Sequence, residues 1–197
     1  MNRNNIITLP NSHLRQRSKK VAVITPEILQ LIADMKAATL DWEDHRDHEV
    51  GVALAAVQVD KLWRIVVVRD DFDDKTNRDF AVFINPTIAK YYGKIEQDFE
   101  GCLSIKDVYG KVPRYTKVKV DAMNEEGRNF RITAEGFLAR IFQHEIDHTN
   151  GVVYIDHIKD NSEAFYKLAK DGKLTPLDYE AHVKDNKDLW HEQQDED

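Results

Sequence analysis

The apolar residues between positions 26 and 36 follow the period of an α-helix. Four of them recur three or four residues apart, as one face of a helix requires: Ile28, Leu31, Ile32 and Met35. Residues 25–27 (Thr-Pro-Glu) precede this face and supply an N-cap, a proline suited to the first helical turn and an acidic side chain. The pattern predicts a helix packed on a core, followed by an exposed loop over the highly charged residues 41–49 (DWEDHRDHE).

The spacing then changes to that of β-strands. Residues 62–69 (LWRIVVVR) are a β-branched run of the length of a buried strand, and residues 70–79 interrupt it with polar, turn-forming side chains. Residues 80–86 (FAVFINP) are apolar again and end at Asn-Pro, so we expect them to return antiparallel to the first run. The two runs predict a hairpin.

A second hairpin and a second helix follow. Apolar and polar residues alternate over 118–122 and again over 130–132, on either side of the turn sequence Asn-Glu-Glu-Gly at 124–127. Residues 135–149 return to helical spacing, and the Asn-Gly that follows at 150–151 is typical of a left-handed helix end.

This order of elements indicates the fold class. The strands come before a helix with polar residues, and strands and helices do not alternate regularly. This order indicates an α+β fold. We expect antiparallel strands and hairpins packed around the helix at 135–149. We expect one main domain over residues 1–160 and a C-terminal helical extension over 161–197, with a helix that begins near Ser162. Its last residues, 191–197 (HEQQDED), have the composition of an acidic tail in solvent.

Composition narrows the class of protein. With 32% charged and 42% hydrophobic residues in 197, the chain has a globular balance, and it has no apolar run of the roughly 20 residues that a membrane helix needs. The net charge of −7 argues against a general nucleic-acid binder, because such affinity comes largely from lysine and arginine. The first 20 residues lack the apolar core of a secretion signal, and the single cysteine precludes an internal disulfide. We therefore expect a soluble, cytoplasmic protein that does not bind membranes.

The second helix contains the most informative motif, QHEIDH at 143–148. His144 and His148 are four residues apart, so both imidazoles lie on one helix face and can bind one metal ion. Phe137 and Ile141 continue this face, which indicates that it points inward, and Glu145 lies about 100° further round, beside the ion's water. The alternative is that both histidines are hydrogen-bonded polar residues at the edge of the core.

A catalytic metal site needs a third protein ligand and one open position. Cys102, in the segment EGCLS at 100–104, is a candidate, because Gly101 allows the backbone to approach closely. Two other interpretations of Cys102 are a small buried apolar side chain and the nucleophile of a cysteine–histidine pair. If Cys102 were the nucleophile of such a pair, the His-Glu-x-x-His motif at 143–148 would have no role.

Three segments taken together resemble peptide deformylase, the metallohydrolase that removes the formyl group from the initiator methionine of nascent chains. GVALAAVQ (51–58) resembles that family's glycine-rich segment, whereas EGCLS (100–104) and QHEIDH (143–148) are identical to its two metal-binding segments. Segments 9–21 and 108–115 are also similar to the family, so the resemblance runs from about residue 7 to residue 158. It implies that residues 1–160 form the catalytic domain, around a central metal-binding helix.

The resemblance implies a role for each matching residue. Cys102, His144 and His148 hold a divalent ion that activates water, and Glu145 takes the proton of that water and later passes one to the departing amine. The pKa of Glu145 should therefore be raised towards neutrality. The side-chain amide of Gln58 and the backbone N–H of Leu103 stabilise the oxyanion that forms. The resemblance favours iron(II) in the cell, although zinc, nickel or cobalt also accept one thiolate and two imidazoles.

The substrate implied by the resemblance is an N-formylmethionyl peptide or nascent chain, bound as an added strand. Its implied contacts are with Val52, Ala53 and Gly101, and with an apolar pocket that includes Val52 and Ile141. Arg114 resembles a substrate-side arginine of the family, with a surface salt bridge as the alternative. We expect a monomer, for which the resemblance allows a transient contact with the ribosome.

The sequence departs from the family in a few places. Ala53 replaces the second glycine of the first motif, and a need for positive φ or a very close peptide at that position would reduce activity. Lys106 and Asp107 replace small residues or proline at the rim. His45 and His48 in the charged loop, and the aspartates at 70, 71, 73 and 74, are most simply solvated.

Two alternatives to an active deformylase therefore stand. One is a deformylase-like protein with weak or no activity because of Ala53. The other is a zinc peptidase of the broader His-Glu-x-x-His kind, which cleaves internal amide bonds.

Overall fold

A computed structural model describes residues 1–46, 49–72, 74 and 76–190 of the chain. The helices are α1 (Pro26–Glu43), α2 (Gly136–Thr149), α3 (Tyr179–His182) and α4 (Lys187–Trp190). The strands are β1 (Ala53–Ala55), β2 (Ile65–Arg69), β3 (Phe80–Cys102), β4 (Ile105–Met123), β5 (Asn129–Glu135), β6 (Phe165–Leu168) and β7 (Leu174–Pro176). Short 3-10 helices lie at Arg3–Asn5, Ser12–Arg15, Ala56–Val59, Tyr154–His157 and Ser162–Ala164.

The strands of the described residues form one seven-stranded sheet. Its order is β1-β2-β3-β4-β6-β7, and β5 also pairs with β4. Each pair of neighbouring strands is antiparallel. The α+β class and the antiparallel pairing predicted from the sequence are therefore confirmed.

Alternating side chains of β1 and β2 separate two layers of core. Leu54, Ile65 and Val67 pack with α1, whereas the neighbouring Val66 and Val68 pack with α2. All of β2 is buried, as a strand covered on both faces must be. Because alternate residues of β2 pack with α1 and with α2, the two helices lie on opposite faces of the sheet. The four apolar residues predicted to face the core from α1 are at most 7% exposed.

The first predicted hairpin forms but is longer than expected. Ile65 pairs with Ile84, yet β3 does not end at Asn85-Pro86 and continues to Cys102, because the register shifts there and β4 becomes the partner. Asn85 adopts a φ of 54°, a left-handed conformation that asparagine tolerates and that lets the strand bend past the proline. The second hairpin pairs β4 with β5, with Val118 opposite Ala134, as predicted.

The C-terminal prediction needs correction. The helix expected near Ser162 is a single 3-10 turn, and the chain then forms the β6–β7 hairpin, because Phe165 pairs with Gly110 on β4 and extends the sheet. The helices beyond it are four residues each. The boundary at residue 160 stays a prediction, and the acidic tail (191–197), His48 and Asp73 lie outside the described residues.

The helix α2 packs on β1, β2, β4 and β5, so its inward face reaches the centre of the sheet. Ten of its residues are buried, including the motif residues His144, Glu145 and His148. In the described part of the chain, no helix combines the length and apolar character needed to cross a bilayer.

Candidate active site

Three side chains from β3 and α2 converge beneath a surface cleft. Cys102 is the last residue of β3, and His144 and His148 lie one turn apart on α2. The Nε2 atom of His148 lies 3.2 Å from the sulfur of Cys102. One potential ligand atom from each of the three residues lies within 4.8 Å of the others. The structure therefore brings together the three residues that the sequence predicts as metal ligands.

These residues fit a transition-metal ion. Ligand atoms bound at about 2.0 to 2.3 Å around one tetrahedral ion lie within roughly 4 Å of each other, so only a small inward movement is needed. One thiolate and two imidazoles form a donor set typical of zinc and related ions. Three protein ligands leave one coordination position for a reacting molecule, which distinguishes a catalytic site from a closed structural one.

Glu100 fixes the orientation of one imidazole. Its Oε2 lies 2.9 Å from Nδ1 of His144, so that Nδ1–H donates to the carboxylate and Nε2 is available as a ligand. Arg114 and Arg140 also donate to this carboxylate, which is 5% exposed. Glu100 begins the EGCLS motif, but no role was predicted for it from the sequence. A histidine that binds a metal usually donates its second ring N–H to a carboxylate or carbonyl, and this requirement is the signal that could have identified Glu100.

The surroundings of the two imidazoles shift their pKa values in opposite directions. Burial alone lowers the pKa of His144, but the Cys102 sulfur and the Glu100 carboxylate raise it well above its usual value. Burial and the adjacent His144 lower the pKa of His148 well below its usual value. The Cys102–Glu100 environment thus favours positive charge at this point, and a divalent cation would supply it.

Glu145 lies beside this cluster and is 5% exposed. Burial raises its pKa to about 7, with a smaller contribution from Glu100, while His144 acts in the opposite direction. Its Oε2 atom has no hydrogen-bond partner among the described residues. A carboxyl with a pKa near neutrality and a free oxygen can both accept and donate a proton, which agrees with the shift expected from the sequence.

Gln58 is held in one orientation next to Cys102. Its Oε1 accepts the backbone N–H of Ala55 at 2.9 Å, so the amide nitrogen points the other way. That nitrogen donates to the hydroxyl of Ser104 at 3.2 Å and lies 3.5 Å from the Cys102 sulfur. Gln58 is therefore a fixed N–H donor at the edge of the ligand cluster.

The cleft above the cluster has a volume of about 490 Å³, within the range of roughly 300–1,000 Å³ typical of ligand pockets. Nine of the residues proposed from the sequence line it: Val52, Ala53, Gln58, Gly101, Cys102, Leu103, Ile141, His144 and Glu145. His148 is fully buried behind them. The cleft is therefore the place where these residues can act together on one molecule.

Arg114 is not among the residues that line the cleft. It is 5% exposed and binds Glu100, Asp147 and His157, so neither a substrate contact nor a surface salt bridge describes its position. The buried carboxylate of Glu100 on β3 and the partly buried carboxylate of Asp147 on α2 favour a cation between them, which explains this location. Phe137, expected on the inward face of α2, is 46% exposed because the first turn of α2 lies at the cleft mouth.

Ala53 belongs to β1 and pairs with Val68. It is not one of the residues with positive φ, so the backbone there does not require glycine. Lys106 and Asp107 are exposed at the start of β4 and do not line the cleft. Asp107 adopts a φ of 58°, at a position where the resemblance leads us to expect a small residue or proline.

Aromatic residues around the cluster were not identified from the sequence. The ring of Tyr154 stacks on His144 with centroids 5.9 Å apart, and its hydroxyl donates to the carbonyl of Val108. Phe99 and Tyr109 line the cleft on the side of Gly101. Their positions depend on strand pairing in β3 and β4, for which the local sequence has no signal.

A partly buried cysteine–histidine–histidine cluster with an adjacent glutamate and an open cleft is the arrangement expected of a metal-dependent hydrolase. The family model of polypeptide deformylase matches residues 3–164. The chain is 39% identical over 156 residues to the peptide deformylase of Brachyspira hyodysenteriae, covering 78% of this chain and 80% of that protein. It is 37% identical over 172 residues to peptide deformylase 1 of Pseudomonas syringae pv. tomato, covering 86% and 96%.

The fold is similar to that of solved deformylases. The crystal structure of a Synechococcus elongatus peptide deformylase in complex with actinonin has a TM-score of 0.70 and 38% identity, and the match covers 79% of this chain and 80% of that one. Peptide deformylase 1B of Arabidopsis thaliana has a TM-score of 0.71 and 31% identity, covering 81% and 82%.

The chain belongs to the polypeptide deformylase family. It is thus an enzyme, a hydrolase that removes the N-formyl group from an N-terminal formylmethionine and releases formate. Enzymes of this family depend on a metal ion. The comparisons therefore support this activity over general cleavage of internal peptide bonds.

Proposed function

We propose that this enzyme deformylates nascent polypeptides at the cleft above Cys102, His144 and His148, with Glu145 as the proton carrier. The observation that supports this most directly is the position of Glu145. A buried carboxyl with a free oxygen lies next to three convergent ligands and the amide of Gln58, and all but His148 border one cavity.

The metal ion of this proposal is bound by Cys102, His144 and His148. A bound divalent cation supplies Lewis acidity and lowers the pKa of water from about 15.7 towards about 7. Iron(II) is our proposal for the ion in the cell, with zinc or nickel as substitutes after purification, because a thiolate and two imidazoles accept all three. Glu100 holds His144 in the tautomer that leaves Nε2 for the ion.

Glu145 moves the proton in this proposal. Its free Oε2 accepts a proton from the attacking water and delivers it to the nitrogen of the departing amine. The pKa of about 7 that burial produces suits both directions of transfer at neutral pH.

Gln58 and Leu103 act on the oxygen of the formyl group. Attack on the formyl carbon places negative charge on that oxygen, and donors that are already oriented stabilise it without reorganisation. The amide nitrogen of Gln58 is oriented by the Ala55 N–H, and the Leu103 N–H follows Cys102 directly in the chain. We propose these two groups as the oxyanion donors.

The peptide binds as an additional strand in this proposal. Within the described sheet β1 lies at one edge, and the backbone of Ala53 faces away from β2, where a substrate backbone can pair with it. Ala53 on β1 and Gly101 on β3 both border the cleft and contribute these backbone contacts. Val52 and Ile141 contribute an apolar wall for the methionine side chain.

We further propose a cytoplasmic monomer that meets its substrates as they leave the ribosome. The exposed lysines of the β6–β7 hairpin, between residues 167 and 173, are the candidates for a transient ribosome contact. Size-exclusion chromatography with light scattering tests the monomer, and cosedimentation with ribosomes tests the contact.

We also propose a division of the chain at residue 160. In this proposal, residues 1–160 carry the catalysis and residues 161–197 form the C-terminal extension.

The test of the proposed function is formate release. The purified enzyme, loaded anaerobically with iron(II) under reducing conditions, is given formyl-Met-Ala-Ser and, in parallel, acetyl-Met-Ala-Ser. We expect formate from the first peptide and no acetate from the second, since one added methyl group collides in a cleft closed around a formyl group. Metal analysis of the same sample should give one ion per chain, whereas absence of formate with a full metal site contradicts the proposal.

A further inference from the structure

The outer wall of the active-site cleft is built by a part of the chain that follows the segment matched by the family model. The match ends at residue 164, whereas Leu168 and Leu174 of the β6–β7 hairpin line the same cavity as Glu145 and Gln58. The proposed function assigns no role to this wall.

Strand pairing directs two leucines to one surface. Leu168 and Leu174 are directly opposite each other in the β6–β7 register, so their side chains share a face. The hairpin closes just beyond them, where Ala169 N–H donates to the carbonyl of Lys173, and Gly172 supplies a φ of +79° for the turn. The two side chains are partly exposed and thus available for contact.

The hairpin is anchored to the strand that borders the reacting groups. Tyr166 of β6 pairs with Tyr109 of β4, and its ring contacts Phe99 of β3 edge-on at 4.8 Å. Tyr109 packs so closely on Gly101 that a Cβ atom there would lie 2.5 Å from the tyrosine ring. These contacts place the leucines beside the part of β3 that leads to Cys102.

The distance along β3 indicates which part of a substrate lies there. Phe99 precedes Cys102 by three residues, and an extended chain advances about 3.3 Å per residue. A peptide whose formyl group is at Cys102, and which runs along β3, therefore brings its second or third residue beside Phe99 and the hairpin.

We infer that Leu168 and Leu174, together with Phe99 and Tyr109, form an apolar subsite for the side chain of the second or third substrate residue. The inference rests on the proposed function. It makes the hairpin a specificity element: the enzyme selects formylmethionyl peptides with a large apolar residue at one of these positions. None of these four side chains carries a charge, whereas Glu49 of the same cleft accepts the hydroxyl of Tyr109.

The experiment compares kcat/KM for formyl-Met-Ala-Ala, formyl-Met-Leu-Ala and formyl-Met-Ala-Leu in the metal-loaded enzyme. A leucine at the preferred position should raise kcat/KM about tenfold over alanine, as expected for an added apolar group in a partly open pocket. In the double variant Leu168→Ser, Leu174→Ser the ratio between the leucine and alanine peptides should fall towards one. Thr175→Ala, on the opposite face of β7, is the matched control and should keep the wild-type ratio.

A charge variant distinguishes a changed subsite from a damaged hairpin. Leu174→Glu should make formyl-Met-Lys-Ala or formyl-Met-Ala-Lys a better substrate relative to the corresponding leucine peptide, which a disordered hairpin cannot do. The inference is overturned, and the proposed function is left intact, if formate is released and the ratio of kcat/KM between the leucine and alanine peptides is the same in the wild type and all variants. No formate from any peptide in the wild-type enzyme overturns both.

Discussion

Glu100 and His144 are joined by a hydrogen bond of 2.9 Å between the carboxylate Oε2 and the imidazole Nδ1. The bond links β3 to α2 and so connects the two elements that carry the proposed metal ligands. Arg114 and Arg140 donate to the same carboxylate, which makes Glu100 the centre of a buried ionic cluster. One residue thus contributes both to the stability of the fold and to the orientation of a ligand.

Glu100→Gln should affect both properties. The amide keeps the shape but removes the carboxylate from Arg140 and leaves Arg114 paired with Asp147 alone. Breaking such a buried cluster costs about 3–5 kcal/mol of unfolding free energy. Loss of the carboxylate behind His144 should also weaken metal binding about 10- to 100-fold. Chemical denaturation and metal titration measure the two effects.

Glu126→Gln is the control for this prediction. Glu126 pairs with Arg128 on the surface, where both side chains are more than half exposed. Its substitution should change the unfolding free energy by less than about 0.5 kcal/mol. Equal losses of unfolding free energy in the two variants would show that the ionic cluster around Glu100 contributes no more to stability than a surface ion pair.

Glu145→Gln should retain the metal and lose turnover. The neutral amide suits the buried position, so folding and metal content should remain, while kcat falls about 100- to 10,000-fold without the proton carrier. Formate release and metal analysis on one preparation provide the test. Turnover near that of the wild type would exclude Glu145 as the acid–base group.

Cys102→Ser should reduce metal occupancy, because an alcohol is a poorer ligand than a thiolate for iron(II), zinc or nickel. The activity of the wild type should also disappear with a chelator and return on addition of iron(II). Since the ion binds the folded state, its removal should lower the Tm, by an amount that grows with the ratio of free metal to Kd. A variant with full metal content and full activity would remove Cys102 from the site.

Ala53→Gly should leave kcat/KM for formyl-Met-Ala-Ser essentially unchanged. Ala53 occupies an ordinary strand position without positive φ, so glycine gains no conformational advantage and costs about 0.5–1 kcal/mol of stability through chain entropy. A rise of about tenfold, equivalent to 1.4 kcal/mol, would show instead that the methyl group obstructs the substrate.

Gly101→Ala should lower the stability of the enzyme by about 1–3 kcal/mol, the usual range for an overpacked position. The added methyl would lie 2.5 Å from the ring of Tyr109, which must then move away from the cleft wall. Tyr109→Leu combined with Gly101→Ala should recover part of this loss, and denaturant melts of the single and double variants measure the recovery. Additive effects would mean that the two residues are not in contact.

The local elements of this protein were readable from short-range patterns. The helix face of α1, the buried run of β2 and the motif on α2 each depend on residues close together in the chain, where spacing alone fixes which side chains share a face. For the same reason, His144 and His148 could be paired before any fold was known. Cys102 and Gln58 entered the site through residue chemistry and through the resemblance of their segments to a known family.

Contacts between distant segments were decided only by the tertiary structure. The extension of β3 past Pro86, the burial of Arg114 and the arrival of the β6–β7 hairpin at the cleft all depend on which strands pair, and pairing follows from the whole core. The raised pKa of Glu145 likewise comes from burial by residues far away in sequence. The sequence determined which groups are available for the proposed chemistry, whereas the fold determined their environment, because burial and long-range pairing are properties of the assembled chain.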